Sequence, residues 1–318
     1  MAKRITQFIA VLGVLLLLLA CQSTGKEDPA TAAAPTALSP QNSGRAIILG
    51  DIEIDEPTKT IRRFQGLADY LATGLKDFGV TEGRVVAARD IEEMARFLKE
   101  GKVDLYFDSA FPSLAVQELA DSELILRGWK QSDAEYWSTY IARRDNGIES
   151  VEDLVGGVVA FEDPFSTSGF ILPAGTLVQR EFNLREVNGP GALVANDEIA
   201  YFFSRDEENT VELVLSGRVS GGGISNQDYD ALPTEFQQQL VELEQTITAP
   251  RQLVSVRPGL DPELVSEISG LLIGLEQTVE GAQILERLKK TKRFDALPLD
   301  SKPALGELET LIKLVSGE

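Results

Sequence analysis

The sequence predicts an α/β protein of two lobes, with the chain crossing between them twice. Three observations carry that expectation. From Ala46 onward short apolar runs alternate with amphipathic stretches, the pattern of strands and helices on a largely parallel sheet. A second series of the same kind begins after Tyr136. The C-terminal third then shows helical periodicity at 261–274, 279–289 and 303–315. No internal repeat is visible.

In the first series AIILGDI (46–52), RVVAAR (84–89) and VDLYFD (103–108) read as strands. Between them, 61–76 places Ile61, Phe64, Leu67, Ala68, Leu71 and Leu75 at helical spacing, and 91–99 is a second helix. In the second series STYIARR (138–144) and GVVAF (157–161) are strand-like. One helix follows the Ser-Thr-Ser-Gly at 166–169, and another runs from about Asp206 to Ser216. VELEQTITA (241–249) and RQLVSVR (251–257) lead the chain back. The crossings fall near 132–138 and 246–251. Lobe 1 is then 46–135 plus 250–318, and lobe 2 is 136–249.

Ahead of this body, residues 1–20 read as a secretory signal. Lys3 and Arg4 supply the positive start, and 8–20 (FIAVLGVLLLLLA) is an apolar core shorter than the roughly 20 residues of a membrane span. The segment ends Leu18-Leu19-Ala20-Cys21, which resembles the lipobox of bacterial lipoproteins. That resemblance implies that Cys21 heads the mature chain and carries lipid, so that the membrane is reached through the anchor alone. Each buried CH₂ of such an anchor contributes about 0.8 kcal/mol. Gln22 stands where an acidic residue would signal inner-membrane retention, which favours the outer membrane in a Gram-negative cell. Residues 21–45 are the lipidated cysteine and a flexible tether rich in Ala, Pro, Ser and Thr, spanning on the order of 25 Å.

Composition removes whole classes of chemistry. The 318 residues include 30 Lys+Arg and 50 Asp+Glu, no His and one Cys, for a formal net charge of −20. Without His there is no Ser-His-Asp relay and no H-E-x-x-H zinc helix. One Cys makes no internal disulfide and no C-x-x-C pair. An acidic chain does not coat nucleic acid, which needs clustered Lys and Arg. Neither G-x-x-x-x-G-K-[ST] nor G-x-G-x-x-G occurs, and Gly221-Gly222-Gly223 alone is too weak a signal to use. Carboxylate pairs such as Asp104/Asp108 and Glu53/Asp55 leave a two-carboxylate hydrolase open.

The most informative stretch is Phe161-Glu162-Asp163-Pro164-Phe165-Ser166-Thr167-Ser168-Gly169-Phe170. A strand ends, Asp-Pro turns, and three hydroxyls with a glycine open a helix. The first N–H groups of a helix lack internal partners and face the positive end of its dipole, so this is a place for an anion. Ser166 as a simple N-cap is the alternative. Pro173 falls inside that helix and predicts a kink, or a distorted first turn with the helix restarting near Pro173. Asp108-Ser109-Ala110-Phe111-Pro112 is a second strand-to-helix turn, where Asp108 or Ser109 either caps the helix or meets a ligand. Ser204 to Glu207 has the spacing of a capping box. Arg205 beside it is a surface cation or a ligand contact.

These stretches resemble the phosphonate/phosphite-type substrate-binding proteins of bacterial ABC transporters. The likeness runs through KTIRRFQGLADYLA (59–72), GKVDLYFDSAFPS (101–113), EYWSTYIARRDNGIESVEDLVGG (135–157), FEDPFSTSGFILP (161–173) and YFFSRDEENTVELVLSGRVSGGGISNQDYD (201–230). It continues in PRQLVSVRPGL (250–260) and TKRFDALP (291–298). The resemblance implies a two-lobed, type II-like periplasmic-binding fold, with two mixed sheets flanked by helices, closing on a small oxyanion. Ser166, Thr167, Ser168 and the Gly169 amide would hold its oxygens. Asp108, Ser109 and Phe111 would face it from the first lobe, and Tyr136 at the crossing. Arg205 and Asp206 stand where the best-known members have a His, so Arg205 would offset ligand charge. Ser220 stands where aminophosphonate binders have an acid, which points away from an amine and leaves phosphate, phosphite, a simple phosphonate or another small anion. The resemblance also implies an ABC permease as partner, a monomer in the periplasm or cell envelope, no catalytic residue, no metal and no cofactor. A sensor of the same fold, signalling to a membrane protein, is the second reading, ahead of an envelope hydrolase.

Overall fold

The computed structural model describes residues 44–53, 56–130, 133–288 and 291–317. The signal-like segment, Cys21 and the tether as far as residue 43 lie outside them, as does Asp55. The first series folds as β1 (Arg45–Ile52), α1 (Pro57–Gly74), β2 (Val80–Ala88), α2 (Ile91–Lys99), β3 (Leu105–Asp108), α3 (Ala110–Ala120) and β4 (Glu123–Lys130). β5 (Glu135–Tyr136) and β6 (Ser138–Arg143) carry the chain across. The second series follows as β7 (Val158–Phe161), a π-helical turn (Thr167–Ile171), α4 (Leu172–Gln179), β8 (Leu184–Glu186), β9 (Ile199–Phe203) and α5 (Glu207–Leu215). It ends with β10 (Gly221–Ser225), short α6 (Asn226–Asp230) and α7 (Thr234–Gln237), and β11 (Leu240–Gln245). The return comprises β12 (Ala249–Pro250), β13 (Gln252–Val256), α8 (Pro262–Gly274), α9 (Val279–Arg287), β14 (Thr291–Ala296) and α10 (Ser301–Ser316).

Local chemistry explains the helix limits. In α2 the Asp90 side chain accepts the Glu93 N–H, Glu92 and Glu93 stand in the first turn, and Arg96 and Lys99 in the last. Each sign complements the helix dipole. The same helix turns Ile91, Met94, Ala95 and Leu98 inward at helical spacing. α1 opens on Pro57, whose missing N–H would have lacked a helical partner anyway.

Two six-stranded sheets result, in the orders β14-β4-β13-β3-β1-β2 and β11-β6-β10-β7-β9-β8. Both are mixed. The parallel pairs β1·β2, β1·β3, β7·β9, β8·β9 and β7·β10 come from strand–helix alternation. The antiparallel pairs make the sheets mixed, as the family resemblance implies and strand–helix alternation alone does not, and they cluster at the crossings. β4 pairs with β13, β5 with β12 and β6 with β11, all antiparallel. The outgoing and returning chains thus run as one ribbon from the first sheet to the second, which alternation counts do not reveal. The expected single strand over 241–249 is interrupted between β11 and β12 for the same reason.

β10 was not legible as a strand because it opens on three glycines, a residue depleted in sheets. Their use is close packing on both faces. A Cβ at Gly222 would lie 2.6 Å from Thr210 Cγ2 of α5, and one at Gly223 2.8 Å from Pro173 Cγ of α4. In the first sheet α1, α8 and α9 bury one face with Phe64, Leu67, Leu71, Leu264, Ile268 and Ile284. α2 contributes Met94 and Leu98 to the other face. The last helix, α10, packs on α4, burying Leu305, Leu308 and Leu311 with Leu172, Leu177 and Phe161 of the second sheet. No helix of the described residues is long and apolar enough to cross a membrane.

Candidate functional site

The site is built where β7 ends. Asp163 Oδ1 accepts the Phe165 N–H at 2.6 Å and fixes the Asp-Pro turn. Ser166 then caps the helix start, its Oγ accepting the Gly169 N–H at 2.9 Å. The first turn is widened, with the Ile171 N–H reaching the Ser166 carbonyl at 3.1 Å, and α4 restarts with Pro173 in its first turn. That is the distorted start that Pro173 demanded. Lacking an N–H, Pro173 leaves the Gly169 carbonyl without its helical donor, and the Glu162 N–H takes that carbonyl at 3.0 Å. The proline thereby ties Glu162 to the helix start. Gly169 is needed for the same contact, because a Cβ there would stand 2.5 Å from Glu162 Oε2. The close approach that this glycine permits is to Glu162.

The second helix start comes from the first sheet. Ser109 is the N-cap of α3, yet its side chain caps nothing in that helix. Instead the Phe111 N–H donates to Thr167 Oγ1 at 2.8 Å, and the Thr167 hydroxyl donates to Ser109 Oγ at 3.0 Å. Thr167, buried on the second sheet, thus caps a helix of the first and holds the two against each other. Asp108 is occupied by the Tyr106 hydroxyl and the Ser109 N–H, each at 2.7 Å.

The crossing ribbon supplies the third wall. The Arg251 guanidinium lies 4.4 Å from the centroid of the Tyr136 ring, and its Nε donates to Gln227 Oε1 at 2.9 Å. Burial pushes the Tyr136 hydroxyl above its ordinary range, opposed by the Arg251 charge and by hydrogen bonding with Thr167 and Ser168. Arg205 adopts φ +84° in the left-handed region, a strain of about 1–3 kcal/mol for a non-glycine residue. Its N–H is held on the Glu162 carbonyl at 2.7 Å.

Together these groups enclose a cavity of about 630 Å³. Of the residues singled out in the sequence, Asp108, Ser109, Tyr136, Ser166, Thr167, Ser168 and Arg205 line it. Gly169, Phe111 and Asp206 do not. The Gly169 and Phe111 amides are engaged by Ser166 and Thr167, and Asp206 accepts the Asn209 N–H at 2.7 Å. Asp206 therefore corrects the expected capping box: it, and not Ser204, caps α5. The Ser204 hydroxyl donates instead to the Phe161 carbonyl at 2.9 Å. Sequence reasoning missed Arg251 and Glu162, which also line the cavity. Arg251 had one signal, its place at the return crossing opposite Tyr136. Glu162 had only its place beside the turn.

The Asp104/Asp108 pair does not form a hydrolytic site, and the Glu53/Asp55 pair lies partly outside the described residues. Asp104 is held by Arg257 Nε at 2.9 Å and the Ile48 N–H at 3.0 Å, while Asp108 is occupied as above. A larger groove of about 1080 Å³ runs beside α5 and α7. Its charged lining is Glu207, Glu208, Glu212 and Asp228 against Lys130, which repels an anion.

Solved structures share this architecture. XAC2383 from Xanthomonas citri, bound to chloride ion, superposes with a TM-score of 0.80 at 23% identity, over 86% of this chain and 99% of that one. The same protein bound to ATP gives 0.78 at 22% identity, over 85% and 98%. PhnD1 from Prochlorococcus marinus in complex with methylphosphonate gives 0.62 at 15% identity, over 84% and 98%. At these identities the likeness concerns the fold. The family signature for the phosphonate ABC-transporter periplasmic substrate-binding protein matches residues 52–301, well over half the chain. The chain belongs to that family of phosphonate-type periplasmic substrate-binding proteins of ABC transporters.

Proposed function

We propose that this protein captures a small phosphorus oxyanion, a phosphonate, phosphite or phosphate, between its two lobes and hands it to an ABC permease. Membership of a periplasmic binding-protein family puts the chain outside the cytoplasm; Cys21 then anchors it by lipid. The lobes are 46–135 with 250–318, and 136–249, joined by the crossing ribbon. The observation that carries the reading is the meeting of two helix starts and two arginines, Arg205 and Arg251, on one cavity. Guanidinium groups and the hydroxyls gathered at the two helix starts are donors that suit an oxyanion. Four or five hydrogen bonds to a charged ligand, each about 1.5–3 kcal/mol less the cost of ordering, reach the roughly −8 kcal/mol of a micromolar site. Relatives of the same fold that hold chloride and methylphosphonate support the ligand class.

A thermal-unfolding panel on the full chain in detergent tests the reading, with phosphate, phosphite, methylphosphonate, aminoethylphosphonate, sulfate and acetate. A hundredfold excess over Kd of a true ligand stabilises by about 2.7 kcal/mol. If none of the phosphorus oxyanions raises the unfolding temperature, the ligand assignment fails.

A further inference from the structure

Glu162 follows the last residue of β7, its side chain against the start of the π-helical turn. Ser166 Oγ lies 2.6 Å from Glu162 Oε2 and 2.9 Å from the Gly169 nitrogen. Among the described residues Glu162 makes no ion pair. A serine hydroxyl has one proton to donate and two acceptor sites. With Glu162 ionised, the Ser166 proton points at the carboxylate and the Gly169 N–H occupies one lone pair. What remains for the cavity is the other lone pair, which repels an anion. With Glu162 protonated, the acid and the Gly169 N–H both donate to Ser166, and the Ser166 proton turns to the cavity.

The geometry points to Glu162 as a positioning residue for anion capture: it takes one proton from solvent as the anion arrives and so converts Ser166 from acceptor to donor. This inference rests on the oxyanion reading of the cavity. No bond between heavy atoms changes; one proton moves from solvent to Glu162 Oε2, and the bound complex is one charge less negative than its separate parts.

The surroundings act in the same direction. Burial pushes the Glu162 carboxyl up to about 7; the Ser166 hydrogen bond opposes this, and the charges of Asp163, Glu207 and Asp228 add to it. Asp163 stands on the same turn, Glu207 on α5 and Asp228 on α6. Tyr136 faces Glu162 from β5, and Asp108 and Glu53 stand on the cavity from the first sheet. Arg205 and Arg251 line the same space and pull the other way. An anion among these groups adds one more negative charge, which raises the carboxyl further.

The test is calorimetric titration of the full chain in detergent with methylphosphonate, from about pH 6 to about pH 9, for wild type and Glu162→Gln. The glutamine amide offers Ser166 a donor as the protonated acid does and carries no titrating charge, so the variant's affinity should not follow protonation at this position. Above the elevated carboxyl pKa, wild-type affinity should fall about tenfold per pH unit relative to Glu162→Gln. At alkaline pH the variant should be the tighter binder. Wild-type heats should also differ between buffers of unlike ionisation enthalpy at about pH 9, where methylphosphonate has already lost its protons. A merely structural glutamate would lower affinity equally at every pH. Matched pH slopes, or buffer-independent wild-type heats should the variant fail to fold, overturn the inference alone. No heat at any pH overturns the oxyanion reading and this inference with it.

Discussion

Two carboxylates at opposite ends of the same strand pair separate structure from function in this protein. β7 and β9 run parallel, with Val158 opposite Ala200 and Phe161 opposite Phe203. Glu198 precedes β9 at the amino end; Glu162 follows β7 at the carboxyl end. Glu198 is gripped by Arg185, with Nε at 3.0 Å and a terminal nitrogen at 2.6 Å, and by the Ala195 N–H at 2.9 Å. The Arg185 hydrogen bonds, then the Ala195 amide, bring its carboxyl down to about 2. Among the described residues Glu162 has one hydroxyl and no ion pair, and burial takes it to about 7. The amino end satisfies its charges internally. At the carboxyl end, where open α/β sheets place their ligands, Glu162 makes no ion pair among the described residues.

That contrast breaks most visibly at the hydroxyls. Replacing Ser166, Thr167 and Ser168 together by alanine should lower methylphosphonate affinity more than a hundredfold, since each bond to a charged ligand contributes about 1.5–3 kcal/mol. Circular dichroism should still report the folded protein, because the two lost helix caps cost about 1 kcal/mol each and leave the sheet ladders intact. Next comes the comparison of the two arginines. Arg251→Ala should cost roughly tenfold to a hundredfold in Kd. Arg205→Ala should cost less, because its guanidinium is exposed and solvent-screened. Equal losses in the two titrations would mean that the crossing ribbon contributes no more than the rim. An unchanged Kd in Arg205→Ala would remove that residue from the site.

The reach of the sequence follows the same division. Ser166 to Gly169 could be read as a capped, hydroxyl-rich helix start because its parts are contiguous: a turn, three hydroxyls and a glycine. Pro173 announced the distorted turn because its missing N–H acts within five residues. Arg251 had only its place at the return crossing to mark it, because its position over Tyr136 exists only once β5 and β12 pair. Thr167 was legible as a hydroxyl at a helix start, yet the helix it caps belongs to the other sheet. Ser204 misled because a capping-box spacing fits it as well as Asp206 fits a plain N-cap. β5, β6 and β11 to β13 were legible as strands or crossings, while β4 and the antiparallel sense of the ribbon were not, since direction is a property of the ribbon and not of either segment.

The smallest expected effect gives the sharpest form of the carboxylate comparison, because its two halves have opposite signs. A carboxyl held below its ordinary value in the folded state contributes stability above that ordinary value and loses it as the pH falls toward the folded value. For Glu198 the loss therefore runs from about 4.5 down to about 2. Glu198→Gln should lower the unfolding temperature at neutral pH and converge on wild type near the acid limit. A carboxyl raised in the folded state does the reverse, destabilising as the pH climbs from about 4.5 to about 7. Glu162→Gln should therefore match wild type in acid and exceed it above neutrality, by roughly 1–2 kcal/mol once partial exposure is discounted. Thermal unfolding of the three ligand-free proteins across the pH range reads both at once. The two variant curves should leave the wild-type curve in opposite directions at high pH. Curves that run together there would mean that Glu162 is as well satisfied as Glu198, and that the carboxyl end of the sheet is no more poised for a ligand than the amino end.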